Sequence, residues 1–389
     1  MKATIAAAFL WSELFRCGGY GRQHPLSIPR VPLTFDLIRC YGAIEPGEIV
    51  TARKAANDEL AAFHAPDYVA AYAQAELRGR VEAHERARYG LGTLENPYFE
   101  RFFTLPATAA GASIQAAGEV LRGRTAFNPA GGMHHARAGR AEGFCFLNDP
   151  VLGILILRQA GWRVLYVDID AHHGDGVELA FRDDPEVMTL SLHMDAAYAY
   201  PFGGGAFADQ GSAADGYTTM NIPLPQGMHD AEYRMVFDAA WQPVVARFRP
   251  DAIVLQAGAD ALFCDPLARF RLTIQGFLDV VRQILESAPR HADGTPRVLA
   301  LGGGGYHPVA TARAWCGLWG LLSGRELPPE IPPAGAARLH ESGWDLDEDE
   351  DYFPRLFESR LDARSDLPVR AVVRALVAAI PTHRFFSHR

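Results

Sequence analysis

The sequence predicts an α/β fold: a single domain built on a mainly parallel sheet with helices on both faces. Three observations predict it. From about residue 125, apolar runs of strand length alternate with segments of helix length. The strand-like runs are continuously apolar, as strands buried on both faces are; AIVLQ (252–256) is one. Nearly every unusual polar residue falls just after such a run, where open parallel sheets hold their ligands.

The elements follow in order. MKATIAAAFLW reads as the first buried strand over 3–11, since its apolar run is short for a leader and Glu13 and Arg16 follow closely. The Ala-rich N-terminal third carries helices over 55–63, 67–75 and 107–121. Thr125–Asn128 is a short strand entering a Gly- and His-rich loop, 129–143. PVLGILILRQ (150–159) is a buried helix closed by Gly161. Residues 163–167 form a strand and 176–181 a short helix; 187–192 form the next strand. A Gly-rich loop over 201–216 leads to a short strand near 221–224 and a long amphipathic helix, Asp230–Phe248. Ala252–Gln256 is a strand, 273–287 a helix and 297–301 a strand. The turn 302–305 precedes a helix from about 309 to 321. The catalytic domain is expected over 1–325, with 326–389 a tail packed on it. That tail holds LPPEIPPAG and the acidic run 345–351, and no catalytic role is assigned to it.

Bulk composition narrows the classes. The 389 residues are 49% hydrophobic and 21% charged, ordinary for a globular protein with a large core. Acidic residues outnumber basic ones, 46 to 37, which argues against direct nucleic-acid binding. The five cysteines are scattered without a CxxC, so a reducing, cytoplasmic setting is expected rather than a disulfide scaffold. No apolar stretch reaches the ~20 residues of a membrane-spanning helix. Oligomeric state is not legible.

The segment VLYVDIDAHHGD (164–175) concentrates the chemistry. A buried-strand run breaks into Asp168, Asp170, His172, His173 and Asp175. Buried carboxylates need a partner or a cation. Asp170 and His172 stand two apart, so on an extended segment they point the same way. With Asp260, after AIVLQAGA, they make a three-ligand set that leaves a coordination position open. That set accepts Zn²⁺, Fe²⁺ or Co²⁺ alike; a salt bridge in a polar loop is the bland alternative. His134 and His135 in GGMHHA suit proton transfer, with Asp168 and Asp175 as acids to fix their tautomers. Tyr306 ends the GGGG turn, where a phenol could donate to an oxyanion or simply pack. Phe144 and Tyr200 are candidate walls of an apolar entrance, or core residues.

In this order the residues resemble the histone deacetylase superfamily, including the bacterial acetoin-utilisation deacetylases. The similar stretches are HPLSIPRV (24–31), GGMHHARAGRAEGFCFLNDPVLGIL (131–155), VLYVDIDAHHGDGVE (164–178), VMTLSLH (187–193), DGYTTMNIPLP (215–225), VLQAGADALFCDPLARFRLT (254–273) and LALGGGGYHPVATARAW (299–315). The resemblance implies the arginase/deacetylase-like fold and a zinc-dependent deacetylase releasing acetate from acetyl-lysine, protein or small-molecule. It assigns Asp170, His172 and Asp260 to zinc, His135 as general base and later acid, and His134 as mainly electrostatic. Asp168 and Asp175 back the two histidines, and Tyr306 polarises the carbonyl. Phe144 and Tyr200 flank the acyl-lysine channel, where the family usually has Phe at the second position. It also implies structural potassium at Asp168, Asp170, His172, Ser191 and Leu192, with a second ion near Phe181, Asp184, Val187 and Tyr217. Leu267 stands where polyamine-specific relatives tend to carry Glu, which favours a singly charged amide over an acetylpolyamine. The rim acid of the family has only a weak match, Glu95. Two rivals are set aside on residues. A two-Mn²⁺ ureohydrolase needs a second close acid pair, and GADALFCD (258–265, with Asp260 and Asp265 five apart) offers no DxD. A non-catalytic acyl-lysine reader would have lost a ligand or an acid–base position, and none is lost.

Overall fold

The computed structural model describes residues 6–21, 23–209, 211, 218–342, 344, 355–362 and 367–387. Eight strands form one sheet: β1 (Ala7–Trp11), β2 (Ile49–Thr51), β3 (Thr125–Asn128), β4 (Val164–Asp168), β5 (Val187–Met194), β6 (Thr219–Leu224), β7 (Ala252–Gln256) and β8 (Val298–Leu301). Their spatial order is β2-β1-β3-β8-β7-β4-β5-β6, and every pairing is parallel. The strands of the predicted βα units lie within a few residues of their expected limits. The cause is burial on both faces: β3, β4, β5, β7 and β8 are buried along their whole length.

Two groups of helices cover the sheet. In one, Thr104–Leu121 packs on Asp149–Gln159, which also meets Asp175–Phe181. In the other, Arg30–Cys40 packs on Pro308–Leu322, which meets Ile274–Ser287 and, through it, Asp230–Phe248. Trp315 and Trp319, both fully buried, donate their indole N–H to Ala257 O and Ala43 O at 2.8 Å each, so the bulk is buried without an orphaned donor.

Some elements differ from expectation. The helix over 55–63 shrinks to Asn57–Leu60. Arg30–Cys40, β2 and Ala83–Tyr89 were not anticipated. The tail holds Pro333–His340 and Ala371–Ala379, and its Leu339, Phe357, Val373 and Ile380 join the main core. The acidic run 345–351 and Tyr217 lie outside the described residues.

The helical N-terminal third has a structural task. Tyr68, Tyr72, Phe99, Phe102 and Phe103 build a second, aromatic core around Phe146 and Leu147. Tyr68 Oη donates to Phe146 O at 2.6 Å, and Tyr20 Oη donates to Phe144 O at 2.7 Å. These phenols fix the end of the loop that carries the tandem histidines.

Candidate metal centre and active site

The sheet order makes β3, β8, β7, β4 and β5 consecutive. Their carboxyl ends deliver His134 and His135, Tyr306, Asp260, the 168–175 segment and Ser191 to one region. Asp170, His172 and Asp260 are buried, and one ligand atom from each lies within 4.8 Å of the others. His172 Nδ1 is 2.8 Å from Asp260 Oδ2 and 3.2 Å from Asp170 Oδ1. Backbone donors hold the far carboxylate atoms: Ala171 N–H reaches Asp260 Oδ1 at 2.8 Å and Gly304 N–H reaches Asp170 Oδ2 at 2.6 Å. Two carboxylates sharing one imidazole in a buried site have charge to spare for a divalent cation, so the donor set fits a catalytic zinc. Burial and the charge of Asp170 push the Asp260 carboxyl up to about 6. Asp170, despite its burial, is held well below the carboxylate range by His134 and His172.

Both histidine–carboxylate pairs form as expected. His134 Nδ1 lies 2.9 Å from Asp168 Oδ2, and His135 Nδ1 lies 2.7 Å from Asp175 Oδ1. The two Nε2 atoms are 3.0 Å apart. The rings therefore share a proton economy, and their environments pull them in opposite directions. Burial opposes charge on His134, yet Asp168 and Asp170 raise it to about 9. Burial and the neighbouring His134 push His135 down to about 3, against the pull of Asp175. The surroundings thus disfavour charge on His135 and favour it on His134.

One pocket reaches His135 and His172. Its walls include Phe144, Tyr200, Leu267 and Tyr306, all anticipated, together with Glu95, Gly143, Tyr198, Ala199 and Phe202. The Tyr200 ring stands edge-on to His135, centroids 4.7 Å apart, and the Phe144 ring meets Tyr306 at 6.1 Å. Phe144 takes a left-handed backbone (φ 66°), a costly conformation for an aromatic residue that turns its ring to the pocket. Burial, then Asp260 and Asp170, raise the Tyr306 phenol well above its usual value, so it stays a donor. Its backbone N–H is held by Asp265 Oδ2 at 2.7 Å.

Of the positions expected to serve potassium, Asp168 and Ser191 stand in register on β4 and β5. Ser191 Oγ lies 2.8 Å from His193 Nδ1. Phe181, Asp184 and Val187 mark two successive turns, where Asp184 N–H donates to Phe181 O and Val187 N–H to Asp184 O.

Three residues escaped assignment. Glu95, only a weak candidate, lines the pocket and accepts from Gly143 N–H at 2.8 Å. It follows no strand, so the strand-end signal missed it. Arg30 is a buried cation donating to Gly305 O at 2.9 Å. It lines a second cavity against the His loop, with Tyr20, Met133 and Phe146. Arg137 stands in the HHAR motif itself, donating to Asp175.

A parallel sheet whose strand ends carry a two-carboxylate, one-imidazole metal set, two His–Asp pairs and a buried phenol defines a metal-dependent amide hydrolase of the arginase/deacetylase type. Residues 24–322 match the histone deacetylase domain family. The acetoin utilization protein AcuC of Bacillus subtilis is 37% identical over 332 residues, covering 83% of this chain and 85% of that protein. Histone deacetylase 8 of Xenopus tropicalis is 40% identical over 306 residues, covering 78% and 80%. The crystal structure of a histone deacetylase homologue from Aquifex aeolicus superposes with a TM-score of 0.90 at 36% identity, covering 96% of this chain and 99% of that one. The chain belongs to the histone deacetylase family, whose members are hydrolytic deacetylases. Among the described residues no helix is long and apolar enough to cross a membrane.

Proposed function

We propose that this chain is a zinc-dependent deacetylase that hydrolyses the acetyl amide of acetyl-lysine, in a protein or a small molecule, to acetate and the free amine. One observation carries the reading: the Asp170–His172–Asp260 group adjoins two His–Asp pairs at the end of a pocket walled by Phe144, Tyr200 and Tyr306. Zinc held by those three residues supplies Lewis acidity toward the amide carbonyl and acidifies water.

The chain's own residues do the rest. His135, neutral and fixed by Asp175, takes the proton of the attacking water at Nε2 and returns it to the departing amine. His134, kept charged by Asp168, adds positive potential beside it. The Tyr306 phenol donates to the carbonyl oxygen as negative charge gathers there. Phe144 and Tyr200 line the aliphatic stem of the side chain and exclude water. Potassium would be held by Asp168, Asp170, His172, Ser191 and Leu192, with a second ion near Phe181, Asp184, Val187 and Tyr217; it would brace the loop that carries the zinc ligands. Fe²⁺ fits the same ligand types as zinc. All five cysteines are free, which supports a cytoplasmic setting.

Leu267 in the pocket wall favours acetyl-lysine over acetylpolyamine, because position 267 offers a second ammonium no carboxylate and Glu95, in the same pocket, already accepts the Gly143 N–H. The test is acetate release from acetyl-lysine peptides, acetylpolyamines and longer acyl-lysines, with and without chelator. Acetyl-lysine turnover is expected, lost on chelation and restored by zinc. Tyr306→Phe and His135→Ala each lower turnover by at least ~10²-fold. Near-native turnover in either variant rejects the assignment.

A further inference from the structure

Among the described residues, Arg137 is the one guanidinium that donates to the acid behind the general base. Its Nη2 donates to Asp175 Oδ2 and its Nη1 to the Asp175 backbone carbonyl at 3.2 Å. Asp175 Oδ1 faces His135 Nδ1 at 2.7 Å. The carboxylate is thus gripped at both oxygens, by an imidazole on one side and a guanidinium on the other. Arg137 is itself held by Glu142, 3.0 Å from Nε. Glu142 also pairs with Arg140 at 3.0 Å, and 142 and 145 form a bridge at the rim of the loop. The chain of contacts runs Glu142, Arg137, Asp175, His135, from a partly exposed surface to the base. The Arg137 side chain is 27% exposed and the Asp175 side chain 8%.

This arrangement has chemical content. A carboxylate free to rotate about its Cβ–Cγ bond holds an imidazole loosely; one clamped at its second oxygen presents a single lone-pair direction. The backbone contact adds a second fixed point, so the side chain and main chain of residue 175 are registered against the same guanidinium. The planar fork of arginine makes both contacts at once, which a point-charge ammonium cannot.

We propose that Arg137 is a positioning residue: it locks the Asp175 carboxylate so that His135 presents Nε2 to the reacting water. The inference rests on the reading of His135 and Asp175 given above. The role is exerted through Asp175 and not on substrate, so it affects turnover and not substrate binding.

The test measures steady-state acetate release by zinc-loaded full-length protein carrying Arg137→Met, Arg137→Lys, Asp175→Asn and the Arg137→Met/Asp175→Asn pair. Arg137→Met is expected to lower kcat roughly 10- to 100-fold with KM within about twofold. Arg137→Lys recovers only part, and the double variant is no worse than Asp175→Asn alone, because both changes act on one contact. In a further variant, Arg137→Ala, added guanidinium raises kcat and leaves the native enzyme unchanged, a rescue that a folding defect would not show. The inference is overturned if Arg137→Met keeps native kcat, if its loss lies in KM, or if it adds fully to Asp175→Asn. Should Asp175→Asn itself keep native turnover, it is the reading of the His135–Asp175 pair that fails.

Discussion

His64 shows how a residue far from the chemistry supports it. It is 1% exposed, accepts the Asn148 N–H at Nε2 (3.0 Å) and donates from Nδ1 to Ala138 O (3.2 Å). It thereby ties together residues 138 and 148, the two ends of the segment that follows His134 and His135. Burial, opposed only by backbone carbonyls, pushes its pKa down to about 4. In the unfolded chain it titrates near 6.5. Between these values the unfolded chain binds the extra proton, so this group costs stability as pH falls from about 6.5 to about 4, and the loss is complete below. His64→Gln keeps a donor and an acceptor but cannot titrate. Urea unfolding should find the variant less stable at pH 7 and the gap narrowing on acidification, by up to about 3 kcal/mol. A gap constant from pH 7 to 4.5 defeats the argument. At this scale the sequence was legible where a polar residue followed an apolar run: Asp170, His172, Asp260 and Tyr306 all announced themselves so. Glu95 and His64 did not, because each lies in a loop or turn with no strand behind it, and only the fold brings them to the site.

The glycine turn after β8 is where an element shapes the metal set. Gly304 donates to Asp170 Oδ2, and a Cβ there would overlap Asp260 Oδ2 and crowd Asp170 Oδ2. A Cβ on Gly258, after β7, would overlap the same Asp170 atom. Two backbones thus approach the carboxylates more closely than any side chain permits. Gly304→Ala should therefore lower metal affinity roughly 10- to 100-fold, read by elemental analysis after dialysis, while the circular dichroism of the folded chain is retained. Full retention of metal would show that the carboxylates have room to move. Element limits were legible where periodicity was simple. Arg30–Cys40 was missed because Pro32 falls in its first turn, where proline is tolerated but reads as a break, and its pattern does not separate one apolar face. β2 is three residues long and sits at the sheet edge, too short to carry a run. No helix was read in the proline-rich stretch near 333; Pro333 starts one, with Pro332 as its cap.

Across the whole molecule, ion pairs help fasten the tail to the catalytic domain: Asp362 meets Arg313, and a half-exposed Arg370 meets a buried carboxylate. Glu232, on the helix behind β7, has a fully buried side chain. Arg370 meets it three times: from its backbone N–H and Nε to Oε1 at 2.8 Å each, and from Nη2 to Oε2 at 2.6 Å. Its Nη1 donates to Gln226 O at 2.8 Å. From this point the helix Ala371–Ala379 runs on, and Val373, Ile380 and Phe385 enter the main core. Forming such a pair gains little, since Glu232 loses its water, but breaking it leaves that carboxylate stranded. The nearest other cation source is His229, whose Nε2 is 3.6 Å from Oε1, beyond hydrogen-bond range. Arg370→Met should thus destabilise the chain by about 3 kcal/mol, and the Glu232→Gln/Arg370→Met pair should recover most of that loss, because the stranded charge is gone. Denaturant midpoints of the native chain and both variants decide it, with limited proteolysis reporting release of residues 371–387. If the single variant unfolds with the native chain, the tail is held by its other contacts. If the double variant is as weak as the single, the cost lies in lost packing of the arginine stem and not in the buried charge.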